Sequence, residues 1–118
     1  MARTFDFAGE SGQTYRYTLL EGQTIWPSGG NYVYVKTTKS GPKVIYVAET
    51  ESLFRGLRER WEEAERDHGA TDIFLRLNIT GSVRRAERDD IAANYRPPMN
   101  PEAQSRSAED GHQEGAAP

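Results

Sequence analysis

Tyrosine is the residue type in this chain best placed to do chemistry at a phosphate. Tyr32 lies in Gly30-Asn31-Tyr32-Val33-Tyr34-Val35 and Tyr46 in Ile45-Tyr46-Val47-Ala48, two strand-forming runs on either side of a Gly41-Pro42-Lys43 turn. The second run leads straight into Thr50-Glu51-Ser52-Leu53, the start of a charged helix. That layout can gather two phenols, a helix N-terminus and a later carboxylate around one phosphate. Glu87 is the candidate acid. On a helix Val83, Glu87 and Ile91 fall at i, i+4 and i+8 with Asp90 beside them, so both acids take the inward stripe while Arg84, Arg85 and Arg88 point elsewhere. An acid on a buried face is costly unless it is paired or binds a cation. Two readings of Glu87 stay open: a metal-facing carboxylate, or a salt bridge to Arg55 or Arg58 of the preceding helix.

The elements that must position these residues are legible from periodicity. Phe5 and Phe7 alternate with polar neighbours, Gly9-Glu10-Ser11-Gly12 turns, and Tyr15 to Leu19 alternates again, which predicts a hairpin. Residues 20–30 read as a loop, 31–37 as a third strand and 44–48 as a fourth. A helix follows over Glu51–Arg66 with Thr50 as N-cap and Leu53, Leu57, Trp61 and Ala64 as its buried stripe. Asp67-His68-Gly69 stops it. Asp72 to Leu77 is a fifth strand, and a second helix over about 82–95 runs from Thr80 or Ser82 to Pro97-Pro98. The expected class is therefore α+β: a small, mostly antiparallel sheet flanked by helices, with residues 1–28 as an added hairpin and loop. From Pro97 onward the composition turns to Pro, Glu, Ala, Gln, Ser and Gly, and 101–118 is expected to be a disordered tail.

Composition narrows the function. A chain of 118 residues holds one domain. With no cysteine there is no disulfide, no zinc-thiolate centre and no thiol nucleophile. No run approaches the roughly 18 apolar residues of a membrane span. Met1 to Asp6 has no apolar core of a signal peptide, so a membrane partner is not expected and the cytoplasm is the expected location. Residues 97–118 carry four acids and one base of the chain's 18 and 15, which leaves 14 of each in residues 1–96. A neutral body argues against strong, indiscriminate binding of nucleic acid.

Taken in order, these motifs resemble the GIY-YIG nuclease superfamily. Gly30-Asn31-Tyr32 stands for its first motif and Tyr46-Val47-Ala48 for its second; Thr50-Glu51-Ser52-Leu53 resembles its helix start. Glu87-Arg88-Asp89-Asp90-Ile91 followed by Pro97-Pro98-Met99-Asn100 is similar to its last element. The resemblance covers about residues 29–100. It implies a magnesium (or manganese) ion held by Glu87, with Tyr32 and Tyr46 positioning or deprotonating the attacking water. It also implies an arginine on the scissile phosphate, with Thr50, Arg55, Arg58 and Asn100 as further contacts to substrate. Such chemistry needs an in-line nucleophile, a Lewis acid and positive charge on the non-bridging oxygens. Magnesium keeps most of its waters, so one carboxylate can suffice.

Four departures weaken the match. Gly56 stands where the family has its arginine, with Arg60 one turn on as the substitute. Ala48 replaces the second-motif glycine, and Asn31 an apolar residue, tolerable on an edge strand. One extra residue before Pro97 makes the register of the acid uncertain: a shift by one would put Arg88 in its place and abolish the metal site. Without the resemblance, Tyr32, Tyr34 and Tyr46 read as cross-strand aromatics. Three functions follow. The preferred one is a nuclease-like domain, weak or inactive in cleavage, that binds nucleic acid, DNA first, or a protein. The second is a working endonuclease using Tyr32, Tyr46, Glu87 and Arg60. The third is a protein-interaction module with a vestigial site.

Overall fold

The computed structural model describes residues 3–102. The expectation of a disordered tail falls almost wholly outside them. The architecture is α+β, a five-stranded antiparallel sheet with helices against it. The strands are β1 (Thr4–Ala8), β2 (Thr14–Leu19), β3 (Gly30–Thr38), β4 (Gly41–Thr50) and β5 (Asp72–Leu77). Their spatial order is β1-β2-β5-β3-β4. The N-terminal hairpin is part of this sheet, joined through Thr18↔Leu75 and Leu19↔Phe74. β3 is therefore an interior strand, paired with β5 and β4 on its two sides, and Asn31 does not lie on an edge.

Alternation along β3 splits the core in two. Val33 and Val35 face one side, where Phe7, Tyr17, Phe74, Ile91 and Ala92 complete an apolar cluster beneath α3 (Gly81–Tyr95). Tyr32 and Tyr34 face the other, packed with Leu53, Leu57, Ala64 and Ile73 beneath α1 (Leu53–Gly56) and α2 (Trp61–His68). A bulge between Tyr34 and Val35 sets Tyr34 opposite Tyr46 but Val35 opposite Val44.

The single helix expected over 51–66 is broken. Ser52, not Thr50, caps α1, its hydroxyl accepting from the Arg55 N–H at 3.4 Å. The break has a physical cause: the Tyr34 hydroxyl donates to the Leu57 carbonyl at 3.0 Å and accepts from the Arg60 N–H at 3.2 Å. A buried phenol thus satisfies main-chain groups that a continuous helix would have paired internally. Gly56 belongs to the same corner. A Cβ there would run into the Thr50 hydroxyl and its Cβ, so any larger residue, arginine included, would force Thr50 aside.

Candidate functional site

On the α1/α2 side, Tyr32, Tyr34 and Tyr46 form one aromatic cluster. Ring centroids are 5.4 Å apart for Tyr32–Tyr34, 5.4 Å for Tyr34–Tyr46 and 6.2 Å for Tyr32–Tyr46. The two motif tyrosines therefore share a face and touch. Tyr32 is only 1% exposed. Burial above all, with help from Tyr34 and Tyr46, pushes its phenol far above the ordinary tyrosine value, so no phenolate is populated at neutral pH. Burial likewise pushes Tyr34 up to about 12. Tyr46 is half-buried at the rim, and the Arg60 guanidinium stands over its ring, 5.0 Å from the centroid. Arg60 also donates to both carboxylate oxygens of Glu63, at 2.8 and 2.9 Å, and to the Met99 carbonyl at 3.4 Å.

Glu87 is inward, as its helical spacing predicts, but on the other face of the sheet. It is 3% exposed beneath α3. One oxygen accepts from the Tyr17 hydroxyl at 2.6 Å and pairs with Arg76 Nε at 3.2 Å; the other accepts from Asn78 Nδ2 at 3.3 Å. Its ion-pair partner is thus Arg76 of β5, not Arg55 or Arg58, which are exposed. Burial first, then the Glu87 charge, drives the Tyr17 phenol far above its usual value, which keeps it a donor. The network continues. Asn78 also donates to Asn31 Oδ1 at 3.0 Å, Asn31 Nδ2 to the Arg84 carbonyl at 3.0 Å, and Arg84 Nε to Glu49 at 2.7 Å. Arg84, expected to point outward, is 5% exposed, and Val83, expected inward, is 51% exposed.

This carboxylate does not fit a magnesium ion. Its neighbours are a hydroxyl, an amide N–H and a guanidinium, all donors, and a divalent cation would have to approach against the arginine charge. No group of three or more His, Cys, Asp or Glu suited to a metal occurs among the described residues. Nor does Glu87 converge with Tyr32 and Tyr46, from which the sheet separates it.

What does meet Tyr46 is found at the outer edge of β4. A cavity of about 350 Å³ is lined there by Tyr46, Arg60, Arg88, Asp89 and Asn100 among others. Asn100 closes the strand edge: Val47 N–H donates to its Oδ1 at 2.8 Å, and its Nδ2 donates to the Val47 carbonyl at 2.9 Å. Met99 N–H donates to the Ile45 carbonyl at 3.0 Å. From α3 this cavity takes Arg88, one position past Glu87, together with Asp89 and Ala92. Among the described residues the cavity has three acids: Glu49, which pairs with Arg84; Asp89, which pairs with Arg88 Nε at 3.0 Å; and Glu102. An anion held there by the two guanidiniums would have to displace the carboxylates they already meet, Glu63 on Arg60 and Asp89 on Arg88.

Of the other expected contacts, Thr50 is half-buried and turns inward on the Ser52 main chain, its hydroxyl accepting from Ser52 N–H at 3.2 Å and donating to the Ser52 carbonyl at 3.1 Å. Tyr17, Asn31, Arg76, Asn78 and Arg84 escape a reading by motif. Their signal is the spacing Arg84, Glu87, Ile91, as good a helical stripe as Val83, Glu87, Ile91. Asp90 accepts from the Ser11 N–H and hydroxyl at 2.8 and 2.6 Å and from Tyr15 at 2.7 Å, which ties α3 to the β1–β2 turn. Among the described residues no helix is long and apolar enough to cross a membrane. No family model, no curated protein and no solved structure matches the chain.

Proposed function

We propose that this chain is a nuclease-like domain of the GIY-YIG type that binds nucleic acid, DNA first, without cutting it. The observation that carries this reading is the cavity beside β4, where Tyr46, Arg60, Arg88 and Asn100 come together, with Glu49, Asp89 and Glu102 also in the lining. Arg60 and Arg88 would take a phosphate by exchanging their Glu63 and Asp89 partners for it. The motif order, the β3–β4 hairpin and the α3 helix ending before Pro97-Pro98 support the same frame. The neutral body of residues 1–96 limits binding to a few phosphates.

Two assays on the full chain test it. Supercoiled plasmid incubated with magnesium or manganese is expected to stay uncut, alone or beside Glu87→Gln. A labelled duplex is expected to bind at low salt and to release as salt rises. Arg60→Ala with Arg88→Ala should reduce the slope of log affinity on log salt by about 2, roughly one for each phosphate no longer neutralised. Metal-dependent nicking that Glu87→Gln abolishes would establish the endonuclease instead. No duplex binding at low salt would leave the protein-interaction reading.

A further inference from the structure

A second surface, which shares no lining residue with the β4 cavity, has a composition of its own. The large apolar side chains exposed among the described residues are Trp26, Phe54, Leu77, Ile79 and Val83. All belong to segments that meet at one end of the sheet. Trp26 precedes β3, Phe54 follows β4, Leu77 ends β5, Ile79 is in the next loop and Val83 is in the first turn of α3. Gly30 lies opposite both Thr50 and Leu77, so these strand ends are neighbours in space. Apolar side chains exposed singly across a surface need no explanation, but a set gathered at one end does.

A groove of about 490 Å³ opens at this end. It lies where β2 and β5 part: their pairing stops at Thr18↔Leu75, two residues short of the end of β5 at Leu77. Trp26, Leu53, Leu75 and Leu77 supply its apolar wall, and its charged lining residues are Arg16 and Arg76. Among the described residues no carboxylate lines it. Asp6, which pairs with Arg16 at 2.9 Å, forms an exposed bridge of the kind worth little, so a ligand carboxylate can replace it at small cost. Arg76 turns its guanidinium to Glu87 and the Tyr15 ring on the α3 face, which leaves Arg16 as the cation on the leucine side.

We propose that this groove docks an extended segment of a partner protein, one that carries a large apolar side chain beside one or more carboxylates. The apolar anchor rests against Trp26 and the leucines while the acid reaches Arg16. The chemistry favours a peptide over a nucleic acid strand. Trp26 is the one aromatic ring among the described lining residues, and leucines give bases no second face to stack on.

The test uses the full chain, immobilised, and a displayed library of random peptides. Enriched sequences are expected to combine an aromatic or large aliphatic residue with Asp or Glu. Trp26→Ser should lower their enrichment about tenfold or more, as loss of a central tryptophan does at interfaces. Arg16→Glu should remove the acidic preference. Leu77→Ser, at an exposed position, gives a second apolar probe, and melting curves matching the parent's show that each variant folds. Four results would overturn the proposal: no enriched class, a class without acids, enrichment indifferent to Trp26 and Leu77, or tight oligo-dT binding that Trp26→Ser abolishes. A dimer in sedimentation that Trp26→Ser disperses would assign this end to self-association and refute it as well.

Discussion

The two faces of the sheet hold their polar groups in different ways. Beneath α1 and α2, Tyr32, Tyr34 and Tyr46 pack ring to ring, and the Tyr34 hydroxyl serves the main chain of a broken helix. Beneath α3, Tyr17, Asn31, Arg76, Asn78, Arg84, Glu49 and Glu87 form a charged network with formal charges that cancel. The aromatic face fills volume. The charged face locks a helix to a sheet, and it consumes the carboxylate that a metallonuclease would need. A buried acid is thus no sign of a metal site until its partners are known.

Substitutions should separate the faces, most strongly on the α3 side. Arg84→Met removes the partner of half-buried Glu49 and donors to the Asn78 and Ile79 carbonyls, and urea titration should register a loss of about 3–5 kcal/mol. Tyr17→Phe leaves Glu87 short of its closest donor and should cost about 1.5–3 kcal/mol, against less than about 1 kcal/mol for Tyr32→Phe in the aromatic cluster. Equal losses for the two phenol deletions would erase the contrast. At the corner between them, Gly56→Ala should cost about 1–3 kcal/mol through its clash with Thr50, and Gly56→Arg no less.

The smallest effect concerns pH. Burial raises the Asp90 carboxyl, but hydrogen bonds from Ser11, Tyr15 and Glu10 outweigh it and hold the group below the usual aspartate value. A depressed folded value stabilises the protein above the unfolded aspartate pKa of about 3.9, and that stability is lost as pH falls through the folded value. Asp90→Asn should therefore flatten the acid limb of a melting-temperature profile below about pH 4 and leave its shape near neutrality unchanged.

Much of the fold is legible in the sequence because its signals are local. Phe5 and Phe7, the Tyr-Val run of β3, the Gly69 stop and the Pro97-Pro98 stop each speak for their own few residues. The helix break at 57–60 is not legible, since its cause is a tyrosine hydroxyl more than twenty positions upstream. Nor is the face that Glu87 serves. Arg84-Glu87-Ile91 and Val83-Glu87-Ile91 fit helical spacing equally well, and only the presence of Glu49, Asn78 and Tyr17 decides between them. Asn31, expected on an edge, is instead a fully buried anchor for α3, because the pairing of β5 with β3 joins segments distant in the chain. Arg60, one turn past Gly56, stands over the Tyr46 ring from the start of α2.

The most direct probe of the separation between acid and phenols is a manganese titration of the isotope-labelled full chain, read as amide line broadening. Broadening should stay diffuse and be the same in the parent and in Glu87→Gln. Saturable broadening that converges on Tyr32, Tyr46 and Glu87 together, and disappears in Glu87→Gln, would contradict the account.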